Sequence, residues 1–175
     1  MKLFVALSWL GWLFLHFPAG ERQVKESAVA FQISNAGFTV EGTLSGLEAT
    51  VQFDPAHLSQ AIVRASVPVS SIHTGITLRD RHLQQPDYFD AVQYPLITLQ
   101  SVSLRETGPA QYEGLFTLTM KGISRAVKLP FTVSAANEFQ GQLRVNRLDF
   151  NVGKKSPILA DEVTIRIRLV LAKAG

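Results

Sequence analysis

Asp161-Glu-Val-Thr-Ile-Arg-Ile-Arg-Leu-Val-Leu-Ala-Lys173 carries the clearest two-residue alternation in the chain. Val163, Ile165, Ile167, Leu169 and Leu171 fall on one side of an extended chain, while Thr164, Arg166 and Arg168 fall on the other. A period of two residues marks a strand with one face against a core and one against water, the usual state of an antiparallel sheet.

The same alternation recurs upstream. Tyr112, Gly114, Phe116, Leu118 and Met120 form one run and Val127, Leu129, Phe131 and Val133 another, on either side of Lys121-Gly122. That pair suits a tight turn, so the two runs read as a hairpin. Further strands are expected over 29–34, 38–44, 48–53, 61–69, 96–104 and 138–148, each bounded by Gly, Pro, Asn, Asp or Ser. Eight or nine strands at regular spacing predict an all-β fold, either a sandwich or a closed barrel. One segment breaks the pattern. Residues 77–84 and 86–92 read as short helical turns, with Pro86 and Asp87 suited to a helix start, giving a helical insertion around 77–92.

A barrel of about eight strands is either packed solid with side chains or left open for one elongated ligand. The inward candidates mix small residues, Gly114, Ala126, Ala65 and Gly141, with Phe31, Phe38, Phe53, Phe116, Phe131 and Phe150. Small residues beside large rings fit a tunnel or an interdigitated core equally well. Phe150, after Asp149 and before the 154–160 connection, reads as a core anchor, and Tyr94-Pro95 as the stiff entry to the strand at 96.

Composition narrows the function classes. Lys2 precedes an apolar run over 3–17, followed by Pro18-Ala19-Gly20 and the first acid at Glu21, so residues 1–20 read as a signal peptide and 21–175 as one domain. The alternative is an uncleaved anchor, although a run of about 15 apolar residues is short of the roughly 20 that a bilayer span needs. Export predicts a periplasmic or secreted protein. With no cysteine, its stability rests on core packing.

Beyond the leader there are 16 basic and 14 acidic side chains, and the arginines of the strands stand singly rather than in clusters with aromatics, which argues against nucleic acid. His73, Asp80 and His82, with Asp87 or Asp90, match no zinc-ligand spacing, and no Gly-x-Ser-x-Gly nucleophile elbow is present. The expectation is a protein without metal, cofactor or catalysis. For Arg79-Asp80-x-His82 two roles stay open. Asp80 can cap backbone N–H groups and pair with Arg79 or Arg81 while His82 ties the helix to the sheet, or the motif can meet a ligand head group at the barrel's irregular end.

The residues also carry a resemblance. Gly37-Phe38-x-Val40-x-Gly42, Ser71-Ile72-x-Thr74, Arg79-Asp80-x-His82-Leu83, Asp87-Tyr88-Phe89-Asp90, Tyr94-Pro95, Leu118-Thr119-Met120-Lys121-Gly122 and Arg147-x-Asp149-Phe150 occur in an order that resembles the YceI-like family. The likeness extends over most of residues 29–173. It implies an extended antiparallel eight-stranded lipocalin-like β-barrel, export to the periplasm, and a long apolar pocket for a polyisoprenoid or similar long-chain lipid. Phe38, Phe53, Phe116, Phe131 and Phe150 are the expected ligand-contacting rings, with Arg79, Asp80 and His82 at the head group. Arg79 is the expected phosphate partner, since a guanidinium stays charged and can donate two parallel hydrogen bonds.

Burying one isoprene unit is worth roughly 3–4 kcal/mol at about 0.8 kcal/mol per carbon, so such a pocket would select by chain length more than by chain chemistry. Two other readings remain: a stress-related protein-interaction module with a filled core, and a lipid-modifying enzyme using Asp80 and His82. The sequence also leaves room for a homodimer.

Overall fold

The computed structural model describes residues 22–172; the leader, its expected cleavage near Glu21 and the last three residues lie outside them. Among the described residues nine strands form one antiparallel sheet: β1 (Val24–Asn35), β2 (Phe38–Leu44), β3 (Glu48–Gln52), β4 (Ile62–Pro68), β5 (Leu96–Gly108), β6 (Gln111–Met120), β7 (Ile123–Val133), β8 (Glu138–Asn146) and β9 (Leu159–Leu171). A single α-helix among the described residues, α1 (Thr77–Leu83), lies between β4 and β5.

The order β2-β1-β9-β8-β7-β6-β5-β4-β3 makes every neighbour antiparallel, with β2 and β3 at the edges. Nine strands form where eight were expected. Residues 45–47 separate β2 from β3, with Gly46 at φ 71°, a conformation open to glycine at little cost. The sheet curls until its edges approach, yet among the described residues no continuous ladder closes it. Arg22 bridges to Val51, and Thr43 exchanges two backbone hydrogen bonds with His73 just before α1.

Side-chain parity follows the sequence pattern. The inward face of β9 presents Val163, Ile165, Ile167 and Leu169 to the interior. Its outward face pairs Arg168 with Glu26 of β1 and Glu138 of β8. At the β6–β7 turn Lys121 and Gly122 both take positive φ, 48° and 73°, the type I′ geometry that matches strand twist. The ring of Tyr94 covers Gly122, where a Cβ would lie 2.6 Å from it. Lys121 Nζ donates to the carbonyls of Pro86 and Asn151 at 2.7 and 2.8 Å, clamping the hairpin to two neighbouring connections.

The insertion differs from expectation in its second half. Residues 77–83 are helical, whereas 86–92 form a chain of turns in which Asp90 takes φ 52° and its carbonyl accepts from Tyr94 at 2.8 Å. A left-handed residue cannot continue a right-handed helix.

One further irregularity shapes the wall. The β7–β8 ladder covers only Phe131–Val133 against Gly141–Phe139, although both strands continue past it. In the β6–β7 register Pro130 falls on a non-hydrogen-bonded pair, so its ring nitrogen faces β8, where an N–H would have extended the ladder. Beyond Pro130 the strands part. The 3-10 turn Arg147–Phe150 packs against β7, β8 and β9 there, and Phe150, 1% exposed, is buried among Leu118, Met120, Leu129, Leu143 and Val145.

Candidate functional site

The inward faces enclose a cavity of about 410 Å³, within the ~300–1,000 Å³ typical of small-molecule sites. Its sides are apolar: Val29, Phe31, Val63, Ile97, Leu99 and Leu143 are among the residues bordering it. The wall rings are kept flat by glycine. A Cβ on Gly114 would lie 2.2 Å from the Phe116 ring, and one on Gly42 2.2 Å from the Phe31 ring, so each ring occupies its glycine's missing side chain and leaves the lumen clear. Small residues therefore hold the rings against the sheet instead of leaving gaps beside them. Ala65 borders the lumen, while Ala126 is exposed on the outer face.

One end is stoppered. Phe53, Tyr112, Phe131 and Phe139 pack together with Val51, Leu169 and Leu171 where β3, β8 and β9 approach one another. Phe53 meets Tyr112 edge-on at 5.1 Å and Phe139 edge-on at 5.2 Å, while Phe131 stacks on Tyr112 at 5.4 Å. Burial pushes the Tyr112 phenol above its ordinary value, so the ring is neutral at physiological pH.

Polar groups gather at the opposite end. Asn35, Thr74, Arg79, His82, Tyr88 and Arg147 border the cavity there, and no carboxylate does among the described residues. Arg79 is fixed by Thr74: its Nε donates to the hydroxyl and one Nη to the carbonyl, both at 2.7 Å. The other terminal nitrogen has no protein partner among the described residues.

Asp80, buried at 9% exposure, accepts from the Thr74 N–H at 2.8 Å and from its hydroxyl, and stands 3.3 Å from His73 Nδ1. The Thr74 hydroxyl, with smaller contributions from its N–H and from His73, outweighs burial and holds the Asp80 carboxyl below its ordinary value. Asp80 thus acts through Thr74; the expected pairing with Arg79 or Arg81 does not form. His82 packs edge-on to Tyr88 at 4.9 Å, tying α1 to the following turns rather than to the sheet.

The remaining expected contacts divide by height along the barrel. Phe116 and Phe131 border the cavity. Phe53 belongs to the stopper but sits behind Phe131 and Phe139, and Phe150 lies behind the β7–β8 wall, so neither faces the lumen. Phe38, 76% exposed, is a correction: it shares Val40's side of β2 but stands beyond it at the rim, opposite Asn35.

Arg147 was not singled out as a site residue. It is 4% exposed and donates to the carbonyls of Ala160, Val152 and Lys154 at 2.8–2.9 Å, reaching Leu159 and Asp161 at 3.4 Å. One guanidinium thereby gathers the connection between β8 and β9 over the polar end. Its signal was a charge continuing the inward series Leu143, Val145. No group of three or more His, Asp or Glu is placed to hold a metal among the described residues.

The family model for the YceI-like domain matches residues 22–171. The chain belongs to that family. The crystal structure of Burkholderia cenocepacia BcnA is 32% identical and superposes with a TM-score of 0.79 over 83% of this chain and 96% of that one. Protein YceI of Escherichia coli O6:H1 is 23% identical over 142 residues, 75% of this chain and 74% of its own. A polyisoprenoid binding domain from Saccharophagus degradans, implicated in plant cell wall breakdown, has a TM-score of 0.66 at 13% identity over 86% of this chain and 96% of its own, a likeness of fold alone.

Proposed function

We propose that this YceI-like protein is an exported, non-catalytic carrier that sequesters the hydrocarbon chain of a polyisoprenoid or similar long amphiphile in its lumen. The observation that carries the reading is the distribution of polarity. The apolar cavity is closed by aromatic rings at one end and bordered by polar donors at the other. A chain enters such a site tail first, because burial of its methylenes is favourable and burial of its head is not.

The donors set the head group's character. With Arg79 and His82 at the lumen and no bordering carboxylate among the described residues, an oxygen-rich or anionic head is matched there by positive and hydrogen-bonding groups. The unpartnered Arg79 nitrogen is the donor offered to it. The polyisoprenoid binding domain of Saccharophagus degradans, with the same fold, supports the chain class. The apolar stretch over 3–17 supports export to the periplasm or beyond.

Lipid extraction and mass spectrometry of the protein purified from its native host test this reading. A stoichiometric long-chain amphiphile is the expected result; recovery of protein free of amphiphile from every cell fraction would overturn it.

A further inference from the structure

We infer that the aromatic stopper, through Phe131 and Phe139, measures the hydrocarbon chain and fixes the longest one that the cavity fully accepts. The inference rests on the binding reading above and adds to it the residues that do the selecting.

The lumen wall is aliphatic along most of its depth, so one methylene meets much the same surroundings as the next. Selection along such a wall comes from the place where the chain must stop. That place is built of interlocked rings. Phe131, Phe139 and Leu169 border the cavity, and Phe53 and Tyr112 stand behind them. Each of the four rings is held by at least two others: Phe53 by Tyr112, Phe131 and Phe139, and Phe131 by Tyr112 and Phe139 as well, with centroid separations of 5.1–6.2 Å. A ring cannot swing aside without displacing its neighbours, and close-packed interiors resist such displacement.

From Leu159 at the polar end to Leu169 at the stopper, β9 advances ten residues, all within its run along the cavity. At about 3.3 Å per residue and a typical tilt near 40°, this is a depth of roughly 25 Å. For chains shorter than that depth, each added methylene improves affinity about fourfold, the equivalent of ~0.8 kcal/mol. Once the terminal carbon meets Phe131 and Phe139, further carbons stay in water or force a bend, and the gain ends.

The test is competition among straight-chain saturated fatty acids from decanoate to behenate on the intact protein, read by native mass spectrometry. The wild type is expected to show one preferred length. Phe139→Leu, which removes ring depth while keeping the site apolar, shifts the preference to longer chains. Leu169→Phe, which fills the floor, shifts it to shorter ones. Because the two changes act in opposite directions, loss of folding in one, checked by its melting curve, leaves the other decisive. Retention of fatty acids with the same preferred length in wild type and in the folded variants would overturn the ruler and leave the binding reading standing. If the wild type and both variants retain no chain of any length, the binding reading fails and the ruler with it.

Discussion

Asp80 and Thr74 are joined twice, through the Thr74 N–H at 2.8 Å and through its hydroxyl, and the same threonine carries two donors from Arg79. The carboxylate thus positions the guanidinium without touching it. Because the Asp80 carboxyl is held below its ordinary value, the sign of its linkage is fixed: its contribution is present above the unfolded carboxylate range, near pH 4, and is lost as pH falls through the lower folded value. Asp80→Asn should therefore melt below the wild type at neutral pH, with the gap narrowing below about pH 4. Melting curves across that range check it.

Arg79→Gln keeps a hydrogen-bonding side chain but removes the charge. A hydrogen bond to a charged partner is worth roughly 1.5–3 kcal/mol, so affinity for a polyprenyl phosphate should fall about tenfold or more. Affinity for the corresponding neutral alcohol should change little. Calorimetric titration of the two ligands separates this from a purely structural role for α1, which would weaken both equally.

Arg147→Met leaves the carbonyls of Ala160, Val152 and Lys154 without their donor in a buried place. At roughly 1–3 kcal/mol for each acceptor left unpaired, urea denaturation should show a loss of about 3 kcal/mol or more. Arg147→Lys should recover only part, since one ammonium cannot reach three divergent carbonyls as a guanidinium does.

Phe150 and Phe38 make a matched contrast, since both were expected on the inner face. Phe150→Ala should cost about 3–5 kcal/mol, because it opens a void in the wedge where β7 and β8 part. Phe38→Ser should stay within about 0.5 kcal/mol of wild type, as expected for an exposed rim position. Equilibrium unfolding of the two variants side by side gives the comparison.

That contrast shows what the sequence could and could not carry. Alternation identifies a face: the series from Val163 to Leu169 points inward as its period of two requires, and Lys121-Gly122 turns the β6–β7 hairpin. Alternation does not give height along the barrel, which depends on strand tilt and stagger. Phe38 therefore has inward parity and still stands in water at the rim, while Phe53 and Phe131 end in the stopper. The parting of β7 and β8 was hidden for a related reason. Pro130 is visible in the chain, but the side to which its nitrogen points is set by register with β6. At the polar end the Arg79-Asp80 pair stands out in the chain; that Thr74 stands between the two does not, because the contact reaches back across the turn before α1.

The central claim is that a hydrocarbon chain occupies the lumen, and Ala65 on β4 borders it. The most direct measurement is native mass spectrometry of wild type and Ala65→Phe with geranylgeranyl phosphate, each variant's folding checked by its melting curve. A one-to-one complex with the wild type and its loss in a folded Ala65→Phe, whose ring projects into the cavity, are the expected results. Undiminished binding by the folded Ala65→Phe would contradict the claim by placing the amphiphile outside the lumen.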